Sequence, residues 1–350
     1  MQPLSDMAFA RRVLIVLALV ALALLLWELR DVLLLVFAAV IVAVVLRACA
    51  RPLVLLTGWP RPWPELVATL LLAAVLAGMG WLIGAPLRQQ AVELAQRLPD
   101  AWSAFEQQLG VEALGPELLE RVTGAGNAGS VLGSMLGVAS TLAGVTANLL
   151  VVLVGGVYLA VQPRLYREGL VRLVPGTGTR ERVDETLAAV GRALRLWLLG
   201  RLAAMVMIGI LIGAGLWLIG LPNALALALF AGLVEFVPLA GPVLGAVPAL
   251  LIALTQGWAA LLWTFLLVLL VQQVEGNVVS PLIERQAVSL PPALTLFAVI
   301  AAGVLFGPLG VMLAAPITVV AFVAVGKLWV RETLGEPATV PGEPAGAASA

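Results

Sequence analysis

A single acidic residue, Glu235, stands inside a long apolar run, in GLVEFVPLAGP, directly ahead of breaks at Pro238, Gly241 and Pro242. An acid at mid-bilayer costs about 2.5–3.5 kcal/mol on insertion scales, so it faces a cavity, a partner or the headgroups. In a cavity beside those breaks, Glu235 is a proton or cation site. At a hairpin tip near the headgroups the cost is small and no chemistry follows. A second polar group, QQVEGNVVSPLIER (272–285), follows another apolar run. Gln272, Glu275 and Ser280 fall near one face if the helix continues, whereas Gly276 or Asn277 could instead cap it. Pro281 and the pair Pro291-Pro292 bracket this stretch. It reads as the polar lining of a solute path, against the alternative of an ordinary cytoplasmic loop.

The elements that would position these residues repeat. Residues 221–225 read LPNAL and residues 290–294 read LPPAL. After each comes an apolar run, a Gly-Pro break (Gly241-Pro242; Gly307-Pro308) and a further apolar run with its own proline (Pro248; Pro316). Proline removes a backbone donor and clashes with the preceding turn. In hydrocarbon the freed carbonyl finds no water, so broken helices survive only where protein or a wet cavity covers them. Each limb of about 14 residues is near 21 Å, short of a core about 30 Å thick. The two segments are therefore re-entrant hairpins or pairs of short, tilted spans. Broken helices in matching positions are the best sequence pointer to a transport site. Pro238, Gly241, Pro242, Gly307, Pro308 and Pro316 join Glu235, Gln272, Glu275, Asn277, Ser280 and Pro281 as candidate pathway residues.

Composition sets the class. The chain is 62% hydrophobic and 11% charged, with a mean hydropathy of +1.08. This predicts an all-α, polytopic integral membrane protein of about eight helices, two of them the broken hairpins. The net charge of zero argues against nucleic acid as a partner. One cysteine, Cys49, permits no intrachain disulfide, and with no histidine there is no His-based zinc site, Ser-His hydrolysis or His relay. No HExxH, GxSxG or P-loop occurs, so neither enzyme activity, a metal nor a cofactor is expected, and any transport runs on gradients or downhill.

Apolar runs fall at 13–27, 32–46, 65–87, 131–161, 202–220, 222–256, 258–274 and 293–326. Arg11-Arg12 before the first run could mark a secretory signal, but no small-residue cleavage site follows, so a first membrane helix is expected. Only Glu28-Leu-Arg-Asp31 separates it from the second, which predicts a tight helical hairpin. Residues 88–130 hold three Arg and six acidic residues, with a helical stripe through Leu94, Leu98, Trp102 and Phe105. Residues 162–201 hold eight Arg and four acidic residues, with a stripe at Val183, Leu187, Val190, Leu194 and Trp197 that reads as a helix lying on the membrane face. The positive-inside rule places the basic segments in the cytoplasm with both termini and puts 88–130 outside. On that topology, 202–256 and 258–326 run in opposite senses as inverted repeats. Pairs of glycines four apart (133/137, 209/213, 241/245, 303/307) suit close internal packing. The tail, 335–350, has no periodicity and reads as disordered.

From about residue 10 to 330 the chain resembles the autoinducer-2 exporter family of bacterial membrane proteins. The resemblance rests on LVPGTGTRERV (173–183), LWLLGRL (196–202), IGLPNAL (219–225) and VPLAGP (237–242), then on Gln272, Glu275, Asn277 and Pro281 or its neighbour Ser280, and on Gly307, Gly310 and Pro316. Two positions depart from the family pattern. Leu290 stands where a His is common, and Arg201 where a Gln is common. The resemblance implies a homo-oligomeric inner-membrane transporter for a small polar solute of the autoinducer-2 kind. It equally admits exchange of sodium or lithium for protons. A membrane scaffold that holds partners on 88–130 or 162–201 is the reading of a different class.

Overall fold

The computed structural model describes residues 3–57, 63–64, 66–74, 77–78, 148–279, 281 and 290–336. The expected helices of 88–130, the run 131–147, Ser280 and the tail from 337 lie outside the described residues. Helices α1 (Pro3–Glu28), α2 (Arg30–Thr57), α3 (Asn148–Val161) and α4 (Pro163–Arg172) precede the long α5 (Thr177–Ile219). Then come α6 (Ala224–Val234), α7 (Ala240–Gln256), α8 (Trp258–Val274) and α9 (Pro292–Ala324). Helices α8 and α9 each widen into a π turn at their ends, Glu275–Val279 and Val325–Arg331. Among the described residues there is no strand, and four stretches are long and apolar enough to cross a membrane: Arg30–Arg51, Thr177–Ile219, Trp258–Val279 and Pro292–Arg331. A fifth is formed if α3 and α4, bent by 84° at Gln162, count as one span.

Two expectations are corrected. Helices α1 and α2 do not fold back as a hairpin. Leu29 N donates to Leu25 O and Leu33 N to Leu29 O, both at 2.9 Å, so helical bonding carries through the spacer. Glu28-Leu-Arg-Asp31 contains no Gly, Pro or Asn to turn the chain. The second correction concerns 183–197. These residues are the first half of α5, one unbroken helix of 43 residues. That is about 65 Å at 1.5 Å per residue, twice a bilayer core. Its apolar stripe meets protein. Ala189, Ala193, Leu194, Trp197 and Leu198 pack with Leu34 and Ile41 of α2 and with Leu313, Ala315, Val319 and Val323 of α9. Amphipathicity alone does not say which apolar partner a stripe will find.

Both broken segments fold back on themselves. A Cβ on Gly241 would come within 2.5 Å of Val234 O, and one on Gly245 within 3.2 Å of Ala231 Cβ, so α7 returns along α6. In α9, Gly307 leaves helical geometry (φ 65°, ψ −150°). Gly310 then sits against Ala302 and Phe306, and Gly303 against Val311. Residues eight apart in a straight helix are about 12 Å apart and cannot touch. Small residues at these crossings let the backbones close up. A close backbone-to-backbone approach also lies between α5 and α6, where a Cβ on Gly232 would be 2.7 Å from Met205 O and 3.2 Å from Gly209 Cα. Gly232→Ala will therefore cost about 1–3 kcal/mol by forcing those helices apart, read as a lowered unfolding midpoint in detergent.

The two ends of the bundle differ. At one, Arg167 bridges α4 to Asp184 at 2.7 Å, Lys327 meets Glu185 at 3.0 Å and Arg182 meets Glu332 at 3.1 Å. At the other, Leu221 and Gln256 line one cleft with Ile219 and Trp263, so α6 leaves and α7 returns at the same end. Exposed Trp217, Trp258 and Trp263 ring that end, as suits headgroup level.

Candidate functional site

The break between α6 and α7 is closed by local bonds. Phe236 N donates to Leu233 O at 3.1 Å, Val237 N to Val234 O at 3.0 Å and Gly241 N to Val237 O at 2.8 Å. Ala240 N donates to Pro238 O at 2.8 Å around Leu239, whose φ is 69°. This is a γ-turn of the rarer, strained hand. A non-glycine residue held there costs of order 1–3 kcal/mol and persists only where its surroundings impose it. Leu239→Gly removes the Cβ from that turn and will leave stability unchanged or slightly raised, as a denaturation midpoint will show.

At the tip of this hairpin three charged side chains from three elements meet. Glu235 caps the end of α6 and is 1% exposed. Arg201 reaches it from α5, its Nη2 donating to Glu235 Oε1 at 2.9 Å. Arg201 Nε also donates to Phe236 O at 3.3 Å, so it satisfies a carbonyl that the break leaves without a helical partner. Glu275, at the start of the first π turn, brings Oε1 to 4.0 Å from Arg201 Nη1. Its other oxygen, Oε2, is buried and takes part in no hydrogen bond. Buried charges of this kind persist only when paired and bonded. Beside the cluster lies a cavity of about 20 Å³, lined by Glu235, Gly241, Pro242, Gln272, Ile208 and Val271 among others. That is room for one water, which needs about 10–15 Å³.

The candidate residues divide accordingly. Glu235, Gly241, Pro242 and Gln272 share the cavity, and Glu275 joins them through Arg201. Pro238 shapes the turn behind them. The stretch after Gln272 neither continues as a regular α-helix nor stops at Gly276. It widens into the π turn, which shifts register and is a frequent feature of functional sites. Glu275 is thereby turned toward Arg201 while Asn277 stays exposed, its Nδ2 donating to Gln273 O at 2.9 Å and Gln273 Oε1 at 3.0 Å. Pro281 is half-buried. Gly307, Pro308 and Pro316 belong to the second hairpin. Among the described residues α9 has no Cα within 8 Å of α6, α7 or α8. The hairpins are linked instead through the turn: Phe236 meets the edge of Trp197 with ring centroids 6.1 Å apart, inside the cluster that also holds Leu313 and Val319.

Arg201 is the side chain of this cluster that the reading of candidate residues passed over. It entered only as a departure from a family pattern. The available signal was an arginine at the junction of a basic and an apolar segment, with a lone acid in the next apolar run.

A family described as AI-2E family transporter matches residues 14–329. Several relatives carry the name "Putative transport protein". MT0215 of Mycobacterium tuberculosis is 30% identical over 328 residues, 88% of this chain and 86% of that protein. YrrI of Bacillus subtilis is 37% identical over 141 residues, 40% of each chain. YhhT of Escherichia coli is 30% identical over 128 residues, 36% of this chain and 35% of that one. The match thus spans well under half the length of YrrI and YhhT, and most of MT0215.

Proposed function

The chain belongs to the AI-2E transporter family, and from that premise we propose that it is a secondary permease exporting a small polar solute of the autoinducer-2 kind across the bacterial inner membrane. The observation that carries this reading is the buried Arg201–Glu235–Glu275 cluster at the tip of a fold-back hairpin, beside a water-sized cavity. Polar machinery of this cost inside an apolar bundle marks a pathway. Discontinuous helices are where such pathways are built. The units 202–256 and 258–326 serve as inverted repeats, each contributing one re-entrant hairpin, and the hairpins gate in alternation. The remaining candidates, Asn277, Ser280 and Pro281 after the cavity and Gly307, Pro308 and Pro316 in the second hairpin, line the two mouths. Both termini lie in the cytoplasm on this reading; for the C-terminal side it accords with the meeting of α4, the start of α5 and the end of α9 at the basic end. The working unit is a homo-oligomer, in which the exposed apolar α1 supplies protein-facing as well as lipid-facing surface.

The experiment is untargeted metabolite uptake into inverted vesicles with and without the protein. A set of small polar solutes will accumulate only with the protein, and Glu235→Gln, at equal expression, will abolish that accumulation. No solute difference between the two vesicle types overturns the reading. The exchange of sodium or lithium for protons is a second reading that the two carboxylates favour. A sodium pulse that changes lumenal pH, with no solute movement, selects it. A partner that co-purifies while neither transport assay responds selects the scaffold.

A further inference from the structure

We infer that Glu235 and Glu275 together hold one exchangeable proton, and that loss of this proton unlocks the hairpin tip from α5 and the π turn. The role in transport rests on the permease reading; the proton site itself rests on the geometry. Two carboxyl groups face one guanidinium. If all three were charged, the cluster would carry one uncompensated negative charge in a spot where Glu235 is 1% exposed and Glu275 is 13% exposed. One proton removes that charge, and like-charged carboxylates at one site take up a proton for this reason.

The arrangement of atoms says where it goes. Arg201 occupies Glu235 Oε1 and lies 4.0 Å from Glu275 Oε1, and Glu275 Oε2 is buried with no donor in reach. Both carboxyl groups stand within 4.0 Å of the same guanidinium, so they crowd one site, and that crowding is relieved when one of them carries a proton. Arg201 already takes a cation's place beside Glu235. Among the described residues the charged groups that face Glu235 are Arg201 from α5 and Glu275 from the π turn. From α8 comes the uncharged Gln272, and α6 and α7 bring Ala231, Gly241 and Pro242.

The proton leaves as a hydrated proton through the cavity beside Glu235. The remaining pair of carboxylates then repel, and only water admitted around them offsets the charge. Because α5, α6 and the π turn share this one polar junction, hydration and separation of the hairpin tip are one event. Deprotonation therefore opens the cavity and protonation closes it.

The test uses the full chain in lipid vesicles. Infrared difference spectra between neutral and alkaline pH will show a carboxylic-acid C=O band lost on alkalinisation. Glu235→Gln and Glu275→Gln will each abolish the band, since either leaves one carboxylate for one guanidinium; Asp184→Asn, at the remote ion pair with Arg167, will keep it. A second readout follows Ala246→Cys, which lines the cavity, in a Cys49→Ser background. Its labelling by a small thiol reagent will rise severalfold with pH, and will be flat once Glu275→Gln is added. Should one acid variant fail to fold, the other and the labelling decide. Absence of the band in the parent protein, its survival in both acid variants, or pH-independent labelling overturns the inference. Solute uptake without the band leaves a permease with no proton site. The band without uptake leaves the proton site and removes the permease.

Discussion

Arg201→Ala will destabilise the folded protein by about 3–5 kcal/mol, the range for removing one partner of a buried ion pair. The substitution does three kinds of damage at once. It strips the guanidinium from Glu235 at 2.9 Å, leaves Glu275 without its neighbouring cation, and orphans Phe236 O at the break. Unfolding in detergent measures the loss. The double variant Arg201→Gln/Glu235→Gln separates charge from packing. It removes the closer pair of charges while keeping hydrogen-bonding groups of similar size, so Glu235 no longer stands as an uncompensated buried charge. Part of the loss will therefore be recovered, the remainder belonging to Glu275, which still lacks its cation. A double variant as unstable as Arg201→Ala would show that the cluster matters for shape and not for charge.

The second large effect belongs to the other hairpin. Gly310→Val will disrupt it, because even a Cβ at that position would occupy the space of Ala302 O and Phe306 Cβ. Neither neighbour can yield as a flexible side chain end can. One is backbone, and Phe306 is held against the α2–α5–α9 cluster. Overpacking of this kind costs about 1–3 kcal/mol where the surroundings can relax. Here relaxation means opening the fold-back at Gly307, so solute uptake will fall together with the unfolding midpoint. Gly307→Ala will act by a different route. Its φ of 65° with ψ of −150° belongs to glycine, and a side chain there costs of order 1–3 kcal/mol with no steric neighbour involved. A normal midpoint and normal uptake in Gly310→Val would contradict the fold-back at Gly307.

What could be read from the residues was the part that physics makes local. Apolar runs, the Gly-Pro breaks and a lone acid among them identified Glu235, Gly241, Pro242 and Gln272, which the fold brings to one cavity. Glycines four apart marked close packing, and 209/213, 241/245 and the Gly303 crossing serve it. What could not be read depends on how helices rotate and where they go next. Arg201 and Glu235 are 34 residues apart and meet only because α6 folds along α5. The sharp change from basic to apolar residues at 201–202 suggested an element boundary, yet nothing there stops a helix, and α5 runs through it. The same blindness applied to the spacer at Glu28–Asp31, where charge was taken for a turn although helix formers fill it. The π turn at Glu275 had no sequence signal, and it is what carries that carboxylate to Arg201.

The site requires α6 and α7 to lie side by side with Glu235 at their tip. In a Cys49→Ser background, Ala231→Cys and Gly245→Cys place two Cβ atoms about 3.2 Å apart in the fold described here, close to the spacing of a disulfide. In one straight helix the same residues would be about 21 Å apart. Mild oxidation in native membranes will join them within a single chain, seen as protection of both thiols that reduction reverses. Two thiols that label freely and never cross-link would contradict the fold-back hairpin, and with it the site built on its tip.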